Sequence, residues 1–356
     1  MSREVFRLVK YSAKRGIALS IVVILAVYAT IIIANMGGFV DEIIKNEVLM
    51  GISLSVRENP AYQRLTPSEM RELINELYEK EIERLGLDKP FIYRSFGYLK
   101  DALTLDLGRA LYLSSDSGSR TVRYIILERL PATMLLFTTT NLILFSLSLF
   151  AGLYLSRHYQ SKLDKVIVTL SPLSSIPGWF YGIFLILIFA SLLRILPYGG
   201  LVDAPPPPTP LGYALSVMKH MILPVTSWLI AYSFIQIYVR RTFFLMFSSE
   251  DYVEMAKAKG LPPRLIERRY VLRPTLPPII TDFALMLIGS WMGAIITERV
   301  FGWPGIGSLF YRAVGLFDSP VIIGEIVIYA YLLAITVFVL DVVYAVVDPR
   351  IRIGGT

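Results

Sequence analysis

Apolar runs long enough to cross a bilayer recur six times along the chain, at 17–36, 132–155, 170–193, 217–239, 276–297 and 322–347. A hydrocarbon core about 30 Å thick asks for about 20 apolar residues of α-helix, and a helix satisfies its own backbone groups where no water can. The pattern predicts an all-α membrane protein with six transmembrane helices. Pro172 and Pro177-Gly178 fall inside the third run and predict a kink there. No small-residue cleavage signature follows the first run, so it is expected to be retained as a helix.

The stretch 37–131 is too long for a plain loop and is expected to be a structured extracytoplasmic insert. Thr66-Pro67-Ser68-Glu69 has the spacing of a capping box, with proline at the first helical position. Met70, Leu73, Ile74, Leu77, Tyr78 and Leu85 then recur at helical spacing, opposite Glu72, Glu76, Glu79, Lys80 and Glu83. An amphipathic surface helix follows, either packed on the membrane part or serving as a platform for an external partner. Pro205 to Pro208 predict an extended connector. The organisation is then 1–36, the N-terminus and first helix; 37–131, the insert; 132–347, a five-helix core with a loop at 249–273; and 348–356, the C-terminus.

Composition strengthens this picture. Residues are 54% hydrophobic and 18% charged, with mean hydropathy +0.58. The net charge of +7 reads as basic residues gathered on inner loops rather than as affinity for nucleic acid. With the N-terminus inside, 1–16, 156–169, 240–275 and 348–356 hold 18 of the 35 Lys and Arg, while 194–216 and 298–321 hold three. Both termini are therefore expected in the cytoplasm, with the chain in the plasma membrane and lipid around it. The absence of Cys excludes thiol chemistry, and two histidines, His158 and His220, leave little for a metal centre. No catalytic, cofactor or metal site is expected, and no G-x-x-x-x-G-K-[ST] phosphate loop is present.

Polar residues inside apolar runs are expensive and so informative. Asp282 and Asp341 must face the bundle or water, either as pathway or gate residues or as packing groups paired to Arg240, Arg241 or Arg273. Asn141 and Gln236 are neutral pathway candidates that interhelical hydrogen bonds would explain equally well. Glu298, at the end of the fifth run, is a gate or a structural anchor. A proton-coupled secondary transporter relaying through Asp282 and Asp341 is the alternative function.

The most organised polar segment is the loop after the fourth run. Ser249 can cap a short helix, Glu250 and Asp251 suit its positive end, and Lys257 and Lys259 its negative end. Gly260 can take the left-handed conformation that ends it, Pro262 prevents continuation, and Pro263 can start a second helix carrying Arg264, Arg268, Arg269 and Arg273. So short a helix is marginal alone in water and needs a receiving surface. Small Ala256 and Ala258 would allow that surface to approach closely.

Glu254-x-Ala256-x-x-x-Gly260 resembles the EAA loop of ABC importer permeases, with Met255 at the middle alanine position. Asp251-Tyr252-Val253, Ala256 to Leu261, the run Glu298-Arg299-Val300-Phe301-Gly302-Trp303-Pro304-Gly305-Ile306-Gly307 and the run from Asp341 to Arg350 are similar to the B-type permease of the dipeptide/oligopeptide/nickel family. The resemblance covers 160–356 well and is weakest over 37–131. It implies the type I importer permease fold. It also implies a second homologous permease, two cytoplasmic ATP-binding subunits that hold the ATP and Mg, and an extracytoplasmic solute-binding protein delivering short peptides, oligosaccharides or nickel complexes. Tyr252, Glu254, Ala256, Ala258, Gly260, Leu261 and Arg264 would form the contact with the ATPase.

Overall fold

The computed structural model describes residues 3–35, 38–62, 65–289 and 294–347. Among the described residues the regular structure is helical, apart from one isolated bridge between Arg109 and Thr121. The chain divides into two compact units, one formed by the residues up to 125 with 316–338, the other by 126–315 and the residues from 339 onward.

In the first unit, α1 (Arg3–Asn35) carries the first apolar run and α14 (Ser319–Val347) begins the last. Three helices of the insert lie between them in sequence: α2 (Phe39–Glu58), α3 (Pro67–Arg84) and α4 (Phe91–Leu103). Thr66 caps α3 as its spacing predicts. Its hydroxyl accepts from the Glu69 amide at 3.4 Å, and the Glu69 carboxylate accepts from the Thr66 amide at 2.8 Å. The apolar stripe of α3 packs on α2 and leaves no side chain fully buried. The α4 helix packs on α1 instead, where Ala102 joins Val23, Val27, Ile31 and Val327 in one apolar cluster. Arg94 on α4 pairs with Asp41 on α2, and this holds the Asp41 carboxyl below its usual range.

Asp318, just before α14, is the firmest tie in this unit. Its carboxylate is wholly buried and accepts from the backbone amides of Leu111, Tyr112 and Leu113 at 2.9 to 3.1 Å. The irregular segment after α4 is thereby held across more than 200 positions of sequence.

The second unit starts within α5 (Val122–Arg157), where Pro131 is tolerated inside the helix. The third apolar run is broken rather than kinked. The helix α6 (Lys162–Leu170) leads into it and closes in a 3₁₀ turn over Ser171–Ser175; α7 (Gly178–Leu185), continued by a π-type turn to Leu192, then runs at 95° to that first piece. Pro172 and Pro177 each remove an amide donor, so the backbone turns where the ladder fails. The fourth run lies within the 39 residues of α8 (Pro210–Ser248). The fifth differs from expectation at both ends. Helical backbone starts at α10 (Pro263–Ile266), passes through a π-type turn over 267–272 and ends in α11 (Arg273–Gly289). Part of the predicted 276–297 span, 290–293, lies outside the described residues, as do Met36 and the 348–356 tail. Glu298 consequently belongs to a separate short helix, α12 (Ile295–Val300), followed by α13 (Ile306–Gly315). Apolar content locates a span, but the helix limits follow from capping and proline position, which apolar content does not encode. Among the described residues five helical stretches are long and apolar enough to cross a membrane, and six if the bent pair is counted as one span.

Candidate functional site

The loop after α8 folds into α9 (Asp251–Ala258), eight residues long. Its start differs from expectation. Ser249 does not cap it; the Ser249 hydroxyl donates back to the Met246 carbonyl at 2.8 Å and closes α8, while Glu250 occupies the capping position without a side-chain bond. A serine so close behind a long helix finds a free carbonyl there before it meets the next helix's amides. The end is as the spacing predicts. Gly260 sits at φ +71°, its amide donates to Lys257, and the Leu261 amide donates to Ala256, a Schellman closure.

Ala256 corrects a second expectation. It is buried, with Val253, against Phe244, Ile266, Val271 and Ile279 of the same chain. Its small size admits the helix to its own core rather than making room for another protein. Asp251, Tyr252, Glu254, Met255, Lys257, Ala258, Lys259, Gly260 and Arg264 are exposed, and Leu261 is half-buried against the cluster. Tyr252 and Met255, one turn apart, put an apolar stripe on the outer face, with Met255 59% exposed.

Below this loop, adjacent arginines of α8 diverge to two acids. Arg240 is buried, donates to Asp282 on α11 at 2.5 Å and lies over the Phe145 ring. Arg241 makes a two-pronged pair with Asp164 on α6, at 2.7 and 2.8 Å, and lies over Tyr159. Asp282 is thus paired to Arg240, with its own side chain 46% exposed. Asp164, 2% exposed, was not singled out from sequence. The signal for it was present: Ser161-x-x-Asp164 is a capping pattern, and the Ser161 hydroxyl does accept from the Asp164 amide. Adjacent arginines at the end of an apolar run also call for acidic partners. These two pairs join the elements that carry α9 to α6 and α11.

Glu298 is tied into the fold by hydrogen bonds. It is wholly buried; its carboxyl accepts from the Thr133 hydroxyl at 2.7 Å and from the Ser308 amide at 2.9 Å, at the start of α13. A Cβ on Gly305 would lie 2.3 Å from the Thr133 hydroxyl and 2.5 Å from both Glu298 oxygens, so only glycine fits that turn. Trp303 fills the same core and donates to the Ala132 carbonyl at 2.9 Å. Glu298 lies outside the spanning segments, and burial pushes its carboxyl up to about 7 against the opposing pull of its hydrogen bonds. A carboxyl raised above its unfolded value favours the folded state most at low pH, and that contribution is lost as pH rises through the folded value. Melting temperature in detergent is expected to fall between pH 5 and pH 8, and Glu298→Gln to flatten the profile. An equally steep profile in the variant would remove Glu298 as the cause.

The remaining candidates are dispersed. Asn141 donates to the Met286 carbonyl at 3.1 Å, an interhelical bond. Gln236 is half-buried on α8, one turn from Arg240, and Asp341 is half-buried on α14. Among the described residues no group of His, Cys, Asp and Glu could hold a metal ion.

Residues 145–353 match the family model described as binding-protein-dependent transport system inner membrane component. The dipeptide transport system permease protein DppB of Bacillus subtilis (strain 168) is 30% identical over 282 residues, 78% of this chain and 85% of the relative. The di/tripeptide transport system permease protein DppB of Pseudomonas aeruginosa (strain UCBPP-PA14) is 30% identical over 292 residues, with the same coverage. The oligopeptide transport system permease protein AppB of Bacillus subtilis (strain 168) is 29% identical over 280 residues, 77% of this chain and 84% of the relative. The match spans the broken third run, the capped loop helix and Glu298, and with it the chain belongs to the family of binding-protein-dependent ABC importer permeases, as a multi-pass membrane subunit.

Proposed function

We propose that this chain forms half of a translocation pathway for short peptides, beside a second homologous permease. An extracytoplasmic binding protein delivers the substrate, and two cytoplasmic subunits supply ATP hydrolysis with their own ATP and Mg. The names of the relatives support peptides as the cargo. Oligosaccharides, weighed from the sequence, have no comparable support. Both termini are placed in the cytoplasm, on the bias of basic residues already described.

The observation that carries the coupling role is the construction of α9. It is short and closed at its C-terminal end by Gly260, and it is seated on its own chain through Val253 and Ala256. It still exposes an apolar stripe of Tyr252 and Met255 between charged neighbours. A rigid helix with an uncovered apolar face is suited to insertion into a partner's cleft, and the ion pairs of Arg240 and Arg241 would pass its displacement to α6 and α11.

The test is uptake into proteoliposomes holding both permeases, the ATPase subunits and the binding protein. Accumulation of short peptides only with ATP inside is expected. Uptake driven by a proton gradient without ATP would overturn the reading, and ATP-dependent accumulation of oligosaccharides but not peptides would overturn the substrate class.

A further inference from the structure

Helix α4 belongs to the polar insert, yet its neighbours are membrane helices. Tyr28 of α1 stacks on Phe96 with ring centroids 5.6 Å apart and hydrogen-bonds Ser95 at 3.2 Å. Tyr331 of α14 donates to the Leu103 carbonyl at 2.9 Å. Val27 and Val327, both in the cluster with Ala102, each lie eight residues inside their spanning segments, counted from Asn35 and Ser319. At 1.5 Å per residue that is about 12 Å in from the helix ends.

Away from Ala102, α4 exposes apolar Ile92, Tyr93 and Phe96, the last with one face on Tyr28, beside polar Lys100 and Asp101. Ile92, Tyr93 and Phe96 are 53%, 72% and 60% exposed, and Lys100 follows on the same stripe. Arg94, by contrast, is turned inward and paired with Asp41. An apolar aromatic face ending in a lysine, set at this depth, is the pattern of a helix lying in the membrane interface, where the tyrosine hydroxyl and the lysine ammonium reach the headgroups.

We propose that α4 is a membrane element that does not cross: it lies in the leaflet at the Asn35 end of α1, with Ile92, Tyr93 and Phe96 against lipid acyl chains. The insert is then tethered into the bilayer, rather than standing wholly in water above it.

The chain has no cysteine, so a single label can be placed on it before assembly without background from its own residues. Tyr93→Cys and, independently, Phe96→Cys carry a fluorophore in the assembled importer in nanodiscs, with Glu72→Cys on the exposed face of α3 as the aqueous reference. Quenching by lipids with a nitroxide high on the acyl chain, at several-fold greater efficiency than at Glu72→Cys, together with weak quenching by iodide, is the expected result. Iodide quenching equal to that at Glu72→Cys would place the face in water and overturn the proposal. Protection from both quenchers would mean that protein, such as the second permease, covers it, and would overturn it equally.

Discussion

Gly260→Pro is expected to reduce ATP-driven uptake to background while the four-subunit membrane complex still assembles. Gly260 holds φ +71°, a conformation closed to proline, and its amide bond to Lys257 would be lost as well. A cost of about 3 kcal/mol shifts a folding equilibrium roughly a hundredfold, and an eight-residue helix has little stability of its own to set against it. A side chain at Gly260 would meet nothing within 4 Å, so the constraint is conformational and not steric. Gly260→Asn, which tolerates the left-handed region, should therefore retain most of the uptake. Wild-type uptake in the proline variant, with the complex assembled, would remove α9 from the coupling path. Ala256→Trp is a poorer probe, because Ala256 faces the chain's own core and the substitution would disrupt folding first.

Asp318→Ala should release the segment after α4. Three backbone amides, of Leu111, Tyr112 and Leu113, would lose a charged acceptor in a buried setting. Hydrogen bonds to a charged group are worth about 1.5 to 3 kcal/mol each, and the segment can rearrange only in part, so a loss on the order of 3 to 5 kcal/mol is expected. Amide exchange at 111–113 should rise by roughly a hundredfold or more, since local opening governs it. Asp318→Asn, which keeps one carbonyl acceptor, should fall between. Unchanged exchange in the alanine variant would show that the segment is held by other contacts.

Much of the candidate site was legible before any tertiary information. Gly260, Pro262 and Pro263 dictate where α9 stops and where the next helix begins, because left-handed backbone and missing donors are local properties. The capping box at Thr66 is local in the same sense. Ser249 was misread because two helix ends lie within two residues of each other, and a hydroxyl's choice between them depends on which orphan group is nearer. Ala256 was misread because a small residue on a helix admits close approach on either side, and only packing says which neighbour arrives.

The long-range ties were legible only in fragments. The Asp318 carboxylate meets backbone amides more than 200 positions away, and backbone amides carry no residue-specific mark in a sequence. Asp164 with Arg241 is a pairing of marked residues, but nothing local says which of Asp164, Asp282 and Asp341 each arginine takes. Six apolar runs, the closed end of the loop helix and the gathering of basic residues on 1–16, 156–169, 240–275 and 348–356 follow from local chemistry, and the apolar runs by themselves determine that this is a membrane-spanning protein. The break in the third run, the inward face of Ala256, the burial of Glu298 and the packing of α4 on α1 were decided only in the folded chain, because each depends on which distant surface fills the space beside it.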